Sequence, residues 1–541
     1  MDWSPKSLVR HLFSSAYGAA DRLIPRWLFL RALGLIYFSA FYSLFFQIRG
    51  LIGPGGILPA GGYLQAIARS SMAHARYWYV PSFLWISSGS HMLMALCWAG
   101  MIASTLLVVN VWPRAALLIC FLCFVSFVSA AQDFSSYQSD GMLLEAGFIC
   151  LFFSPPGLLP GLGSKHPPSR ASLFLLQWEW LRIYFESGIA KLASGEPQWR
   201  NFTAMDEYYQ NGPLPTWIGW YAQHLPHWFH ASTVVATLVM ELGLIWMILL
   251  PRRFRIVLFF VVTCWEAGVI STANYCFLNY LVLSLGILLV DDRFLARFAP
   301  RKWKEQLPAI KPAGAVQEAP PSQPQTGIVQ AFLRPQFRAL KLAISAVMLT
   351  WVFYVTSVEL LWMLAPHFPL PTTPVVMLEP YRIANQYGLF AVMTRGRYEI
   401  EFQGSNDGQN WTPYPYRYKP QKLNEAPGIY APYQPRFDWN LWFASLGTWR
   451  NNTIVPNTEV RLLTNDKDVL SLFAGNPFPQ SPPKQVRAVL WQYWFTTMAE
   501  KRQTGSWWTR QFLGLYAPTL ELEPDGKLGV LAMPEARSPE P

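Results

Sequence analysis

The stretch "WEWLRIYFESGIAKLASGEPQW" at residues 178–199 has the pattern of an apolar helix that carries four ionisable side chains, Glu179, Arg182, Glu186 and Lys191. At about 100° per residue, the first three fall at about 0°, 300° and 340° around the helix axis, so they share one face and predict an acid-base-acid ladder. Turning that face away from lipid avoids a cost of about 2.5 to 3.5 kcal/mol per charge at the bilayer centre. The stretch therefore predicts a membrane helix packed among other helices.

Lys191 has two interpretations. It lies about 120° from the start of the ladder, close to the outer end of the apolar run, where a lysine can extend its ammonium to the interface. Alternatively, it is partly desolvated near Asp140 and Glu145 of the preceding hairpin and is a candidate catalytic base with a shifted pKa. A deep polar pocket joining these groups would favour an enzyme, whereas a ladder sealed by packing would favour a scaffold.

The composition is that of an integral membrane protein. Of the 541 residues, 52% are hydrophobic, 16% are aromatic and only 14% are charged, so the chain is more apolar and less charged than soluble proteins usually are. The formal net charge of +11 comes from short Lys and Arg clusters beside apolar runs, a pattern typical of topology signals. We therefore expect the lipid bilayer as a partner and no nucleic acid.

Apolar runs long enough to cross ~30 Å of hydrocarbon recur along the chain. Together with one shorter run, they predict a polytopic α-helical membrane protein with about nine spans. The runs lie at 27–48, 83–110, 113–131, 141–162, 171–193, 232–250, 255–274, 276–290 and 339–364. The first eight form a membrane domain at 27–290, and the last is a separate final helix.

Basic clusters fall in alternate loops between these runs, which predicts the orientation of the chain. The basic residues are Lys6, Arg10, Arg22, Arg26, Arg114, Lys165, Arg170, Arg252, Arg253 and Arg255. By the positive-inside rule, the N-terminal segment 1–26 and the loop 291–338 are cytoplasmic, and residues 370–541 lie on the outer side. Arg49, Arg69 and Arg76 depart from the rule, because their loop falls outside.

The chain changes character after the eighth run. Residues 308–327 have the Pro, Gln, Ala and Ser bias of a disordered linker. Beyond the final helix, residues 397–414 alternate apolar and polar side chains around an Asn-Asp-Gly turn, which predicts a hairpin. Strand-like runs at 485–496 and 505–522 predict a β-rich, sandwich-like α+β domain at 370–541. A helical pattern at 438–450 predicts one helix that packs against the strands.

Cysteine and histidine patterns give no firm chemical site. All six Cys lie in or beside apolar runs, so the outer domain must fold without disulfides. Cys120 and Cys123 form a C-x-x-C pattern, but within a membrane helix two small packing residues are the favoured interpretation. His224, His227 and His230 have a spacing that could bind a metal, yet an aromatic interfacial segment explains the run more simply. We expect no metal and no cofactor.

The outer domain contains a set of residue types that often anchor interfaces. The candidates for partner binding are Arg395, Arg397, Tyr398, Arg436, Asp438, Trp439 and Trp442. The aromatic members are also typical of a core, because large aromatic side chains are mostly buried. For the charged members we expect contact with a partner or docking of the domain.

Seven blocks in this order resemble the lipase maturation factor family. They are "FYSLFFQIRGLIGPGGILPA", "DFSSYQSDGMLLEAGF", "ESGIAKLASGEPQWRNFTAM", "GPLPTWIGWYAQHLP", "STANYCFLNYLVL", "YRIANQYGLFAVMTRGRYEIEFQGSNDG" and "APYQPRFDWNLWFASLG". The resemblance implies a multi-pass folding factor that, in animals, resides in the endoplasmic reticulum membrane and assists folding and dimer assembly of secreted lipases. It also implies that residues 370–541 contact the client protein.

The tail "EARSPEP" shows no retention signal, and the outer domain has no Cys. We therefore expect a bacterial member in the inner membrane with a periplasmic domain, or a lumenal domain if the host is eukaryotic. A second, local resemblance joins "IYFESGIAKLASGEPQW" to vitamin K-dependent γ-carboxylases. It implies an alternative, a membrane enzyme with Lys191 as base acting on a lipid, quinone or protein substrate. We expect a chaperone-like maturation factor of the secretory pathway rather than an enzyme.

Overall fold

The protein is described by a computed structural model over residues 4–307 and 328–535. The predicted linker at 308–327 lies outside the described residues. Within the described parts, nine helices coincide with the predicted apolar runs. They are α1 (Leu23–Ile52), α2 (Ser90–Val108), α3 (Pro113–Val128), α4 (Gln138–Phe153), α5 (Arg170–Ala193), α6 (His227–Leu242), α7 (Arg252–Thr272), α8 (Leu278–Gly286) and α9 (Ile328–Leu364).

Five of these helical segments are long and apolar enough to cross a membrane. They are α1, α2, α7, the stretch His227–Leu249 that contains α6, and Gln336–Leu364 within α9. Two others, α3 and the stretch Leu278–Leu289 that contains α8, are apolar but shorter. The remaining two, α4 and α5, carry buried ionisable residues. The structure thus shows a helical bundle of membrane character.

Local sequence explains where two of these helices begin. Pro113 occupies the first turn of α3, where its missing N–H leaves no hydrogen bond unmade. Ser169 caps α5 by accepting a hydrogen bond from the Ser172 amide at 3.2 Å. Within the bundle, Gly100 allows α1 and α2 to approach, because a Cβ there would lie 2.5 Å from the Phe41 ring. The close contact of these two helices depends on the missing side chain.

One end of the bundle gathers basic and acidic groups from distant loops. Arg22 donates a hydrogen bond to the Leu288 carbonyl at 3.0 Å. Asp292 accepts hydrogen bonds from the first amides of α1, at 3.0 and 2.7 Å. Arg252 donates to Asp291 at 2.5 and 3.1 Å. The loops that carry the basic clusters therefore meet at one end.

The C-terminal region forms one six-stranded antiparallel sheet with spatial order β2-β1-β3-β5-β6, and β4 also pairs with β3. The strands are β1 (Arg397–Ser405), β2 (Thr412–Pro413), β3 (Gln485–Phe495), β4 (Trp508–Leu515), β5 (Thr519–Leu522) and β6 (Leu528–Ala532). Helices α10 (Arg436–Ser445) and α11 (Ile454–Leu463) pack against β1 and β3. The predicted sandwich is wrong, because these helices, rather than a second sheet, cover the apolar face.

The predicted hairpin at the start of the sheet is confirmed. β1 pairs with β2, and Gly404 lies opposite Thr412. In the turn, Asp407 accepts hydrogen bonds from the Asn410 amide at 2.8 Å and the Gln409 amide at 2.9 Å. Hydrogen bonds to the carboxylate stabilise its charged form, and those from Asn410 contribute most. They hold the pKa of Asp407 well below its ordinary value. The turn residues therefore determine the register of the hairpin.

Short helices connect these larger elements. The α-helical ones are Pro5–Phe13, Ala60–Arg69, Arg76–Tyr79, Pro197–Arg200, Tyr208–Asn211, Trp217–Gln223, Asp292–Leu295, Arg301–Lys304, Thr373–Leu378, Lys467–Leu470 and Met498–Thr504. The 3-10 helices are Ser15–Tyr17, Ala73–Ala75, Phe83–Trp85, Gln132–Ser135, Leu244–Leu249, Ile287–Leu289 and Glu379–Tyr381.

The C-terminal domain packs directly on the bundle at the end opposite the basic loops. Gly50 near the end of α1 approaches the domain so closely that a Cβ would lie 2.4 Å from the Asp468 carbonyl oxygen. Arg49 lies 3.5 Å from the Asp468 carboxylate. Of the three basic residues that depart from the charge pattern, Arg49 therefore has a counter-charge on the docked domain.

Candidate functional site

The chain that follows α9 inserts a short stretch, residues 382–390, between α4 and α5. We call it the junction segment. The Tyr387 amide donates to Glu186 at 2.7 Å, and the Asn385 amide donates to Glu145 at 3.0 Å. The Tyr387 hydroxyl also donates to Glu145, at 2.8 Å. Carboxylates of the membrane helices thus hold the backbone of the C-terminal region.

Arg182 lies at the centre of this junction and is fully buried. It forms an ion pair with Glu145 of α4 and lies 3.7 Å from Glu186 on its own helix. It also donates to the Asn385 carbonyl at 2.6 Å. Among the described ion pairs, Arg182 has these two carboxylates, and Glu179 is not one of its partners. The predicted ladder is therefore corrected to Glu145, Arg182 and Glu186, because α4 supplies the nearer acid.

A second buried ion pair joins α10 to α4. Both terminal nitrogens of Arg436 donate to Asp140, each at 2.7 Å. Arg436 also donates to the Phe134 carbonyl at 2.6 Å. Its side chain is 2% exposed and that of Asp140 is 0% exposed. Asp140 lies in the first turn of α4, where the helix dipole favours a negative charge. This bidentate pair fixes the domain on the bundle.

Arg397 makes a third docking contact, on the loop before the helix Trp217–Gln223. It donates to the carbonyls of Gln210, at 3.0 Å, and Pro213, at 3.2 Å, and it pairs with Glu399 beside it on β1. Trp442 of α10 adds a hydrogen bond from its indole to the Asn211 carbonyl at 3.0 Å. These side chains therefore fasten the sheet domain to the membrane part.

Most of the predicted partner-binding residues are internal. Asp438 and Trp439, like Arg397, Arg436 and Trp442, are buried. Tyr398 is half-buried. Arg395 is the exposed member, at 58%, and lies 3.9 Å from Glu196. The charged members Arg397 and Arg436 dock the domain, which was one of the two roles expected for them.

Lys191 is also buried, with 2% of its side chain exposed. Its ammonium donates to both carboxylate oxygens of Glu241, at 2.8 and 2.9 Å, and to the Leu389 carbonyl at 3.0 Å. The predicted proximity to Asp140 and Glu145 is wrong, because those acids pair with the arginines described above. The ammonium also does not extend to solvent, since the junction segment covers it.

Sequence reasoning missed Glu241 and Glu266, although an acid inside an apolar run signals a buried partner. Glu266 accepts hydrogen bonds from the Tyr184 hydroxyl and from the Asn279 amide, the latter at 2.8 Å. A largely apolar cavity of about 310 Å³ reaches both acids and Lys191. Because every proton of the ammonium already has an acceptor, the arrangement suits a structural ion pair better than a free base.

In the described residues, a helical bundle with buried ion pairs has five segments that are long and apolar enough to cross a membrane, and a sheet domain is locked to one end of it. This arrangement defines the class: a polytopic helical membrane protein with a docked β-sheet domain. Residues 24–297 match the family described as the lipase maturation factor transmembrane domain, and residues 383–518 match the lipase maturation factor C-terminal domain. The chain therefore belongs to the lipase maturation factor family, as the resemblance of its seven blocks indicated.

Similar proteins cover nearly the whole chain. Lipase maturation factor 2 of Gallus gallus is 29% identical over 593 residues, which cover 94% of this chain and 83% of that protein. Lipase maturation factor 1 of Bos taurus is 30% identical over 518 residues, covering 92% and 89%. The Homo sapiens lipase maturation factor 1 is 29% identical over 522 residues, covering 92% and 88%. No solved structure matches. These matches lend the carboxylase-like alternative no support.

Proposed function

We propose that this chain is an integral membrane maturation factor that assists the folding or assembly of secreted lipases. Its membership in the family and the names of its relatives support this. We further propose that the chain crosses the membrane nine times, once with each of the helices α1 to α9.

The proposed orientation places the C-terminal domain on the outer side, which is the periplasm in a bacterium or the lumen of the endoplasmic reticulum in a eukaryote. Two observations support it. The basic loops meet at one end of the bundle, near Arg22 and Arg252. The sheet domain docks at the other end, near Gly50 and Asp140. Basic loops favour the cytoplasmic side, so the domain is on the opposite side.

The proposed client surface is the edge strand β6. Most of the predicted partner-binding side chains are buried, so the client must bind elsewhere. On β6, Leu528 is 48% exposed, Val530 is 56% exposed and Leu531 is 48% exposed. In the described sheet, β6 pairs on one side only, with β5. Native proteins usually protect apolar edges, and a free edge can accept an extended segment of another chain.

Co-expression with a secreted lipase tests this function. The measurement is lipase activity per amount of secreted lipase protein, in host cells with and without this chain. We expect activity to rise with the wild-type chain and to fall back with Val530→Asp. The control Ile429→Asp should retain the effect, since Ile429 is an apolar residue of the same domain that is 48% exposed, against 56% for Val530. No gain with the wild type would contradict the function itself. A gain that survives Val530→Asp would contradict only the assignment of β6.

A further inference from the structure

The cavity that reaches Lys191 lies between α5, α6, α7 and α8. The junction segment covers one end of it with Leu389 and Phe390. Its deep wall is formed by buried side chains of α8, among them Leu278 and Val282. A volume of about 310 Å³ is at the lower end of the range for ligand sites, about 300 to 1,000 Å³. The cavity is therefore large enough to hold part of a small amphiphile.

The cavity opens sideways between α6 and α7. These two helices make almost no direct contact, and each packs instead on the 3-10 helix Leu244–Leu249 that joins them. Cys264 and Gly268 line the cavity and are exposed on α7. A Cβ built on Gly268 meets no atom within 4 Å. The wall of the cavity on this side is thus incomplete.

The two helices that border the opening carry exposed apolar side chains. Val239 on α6 is 51% exposed, and Phe260 on α7 is 52% exposed. Both helices belong to segments that are long and apolar enough to cross a membrane. Apolar faces of spanning helices contact acyl chains. When both helices span the membrane, an opening between them therefore faces the hydrocarbon of the bilayer.

The polar groups inside the cavity select against an anionic ligand. Lys191 is the cation that lines it among the described residues, and its three protons are donated to Glu241 and to the Leu389 carbonyl. Glu266 adds a further acid whose two oxygens already accept hydrogen bonds. A carboxylate or phosphate would find no free cation there, whereas a hydrocarbon chain needs none.

We propose that this cavity binds one acyl chain of a neutral or zwitterionic bilayer lipid. The chain enters sideways between α6 and α7, and its head group stays at the membrane surface. The lipid tail then packs against the ion pair that holds the junction segment. This site is independent of the proposed maturation function.

Photo-crosslinking tests the site in the full-length protein. The protein is reconstituted in phosphatidylcholine vesicles in which a fraction of the lipid carries a diazirine at the end of one acyl chain. After irradiation, the modified residues are mapped by mass spectrometry. We expect modification of Leu278 and Val282, which are buried from the surrounding lipid, in addition to exposed positions such as Phe260.

Two variants of α7 complete the test. Gly268→Trp fills the opening and should abolish modification of Leu278 and Val282 while Phe260 remains modified. Ala267→Trp adds the same side chain at the neighbouring exposed position outside the cavity. It should leave the modification of the deep wall and of Phe260 unchanged. Retained modification of Phe260 and an unchanged thermal midpoint show that each variant is folded.

Wild-type protein modified only at exposed positions would overturn the proposal, whether or not the variants fold. Preferential modification of the deep wall by a diazirine-labelled free fatty acid, rather than by the phosphatidylcholine, would overturn the choice of a lipid without an anionic head group.

Discussion

Replacing Arg436 with Met removes the guanidinium that joins α10 to α4 and keeps much of the apolar stem. Asp140, which is 0% exposed, then loses two hydrogen bonds of 2.7 Å, and the Phe134 carbonyl loses a third. Breaking a buried ion pair by removing one partner costs about 3 to 5 kcal/mol. If that cost falls on docking, the undocked population rises by roughly 10² to 10⁴-fold.

Limited proteolysis of the full-length chain in native membranes measures this population. The connection between α9 and β1 should be cut once the domain detaches, and when opening is fast, the cleavage rate follows the population of the open form. Arg395→Met is the matched control, because Arg395 is 58% exposed and lies 3.9 Å from Glu196. Such an exposed pair contributes about 0 to 1 kcal/mol, so its loss should change the rate little.

The double variant Asp140→Asn with Arg436→Met provides the second control. It should recover most of the loss, because a neutral amide costs much less to bury than an unpaired carboxylate. Cleavage of Arg436→Met at the wild-type rate, or at the rate of Arg395→Met, would refute the inference that this ion pair holds the domain. A double variant as sensitive as the single one would show that packing, not charge, is responsible.

Three further predictions concern other charged and exposed groups. Lys191→Met should lower the yield and the thermal midpoint, because Glu241 is left buried without its counter-charge at a cost of about 3 to 5 kcal/mol. Recovery of both in the double variant with Glu241→Gln would confirm this reason. Normal stability of the single variant would contradict it. Burial raises the pKa of Asp438 to about 7, because the neutral carboxyl is the form that the folded protein favours. The stability that this neutral form contributes is complete below about pH 4. It is lost as the pH rises through about 7 and the buried carboxyl ionises. Asp438→Asn should therefore gain thermal stability relative to the wild type as the pH increases over that interval, and a loss above pH 7 would show that the charged form is stabilised instead. In a eukaryotic secretory host, sugar should be found by mass spectrometry at the three exposed acceptor sites, and its absence from all of them would indicate an inverted orientation. These acceptor sites are Asn201, Asn410 and Asn451.

Local patterns predicted the elements of this fold well. The apolar runs predicted the helices, and the Asn-Asp-Gly turn after the alternating residues of β1 predicted the hairpin. These signals are local, because the side chains that create them are close in the chain. The helical pattern at 438–450 also predicted that α10 packs against the strands. Local patterns could not show that α11 joins it, or that these helices take the place of a second sheet.

The partners of the buried charges were not predictable in the same way. Arg436 lies 296 positions from Asp140, and Lys191 lies 50 positions from Glu241. Periodicity places each charge on a face of its own helix, but the pairs depend on how distant helices pack. The residue types that anchor interfaces between proteins also dock one domain on another within a chain. The sequence therefore could not distinguish a docking role for Arg397 and Trp442 from binding of a partner protein.

The central claim is that a docked outer domain binds a secreted lipase at β6, and crosslinking from that strand tests it most directly. A photoreactive benzoylphenylalanine placed at Val530 in the full-length chain, co-expressed with a secreted lipase, should give a covalent adduct with newly made lipase. The same group at Ile429, which is 48% exposed in the same domain, should not. Absence of an adduct at Val530 while the lipase becomes active in a manner dependent on this chain would contradict the claim.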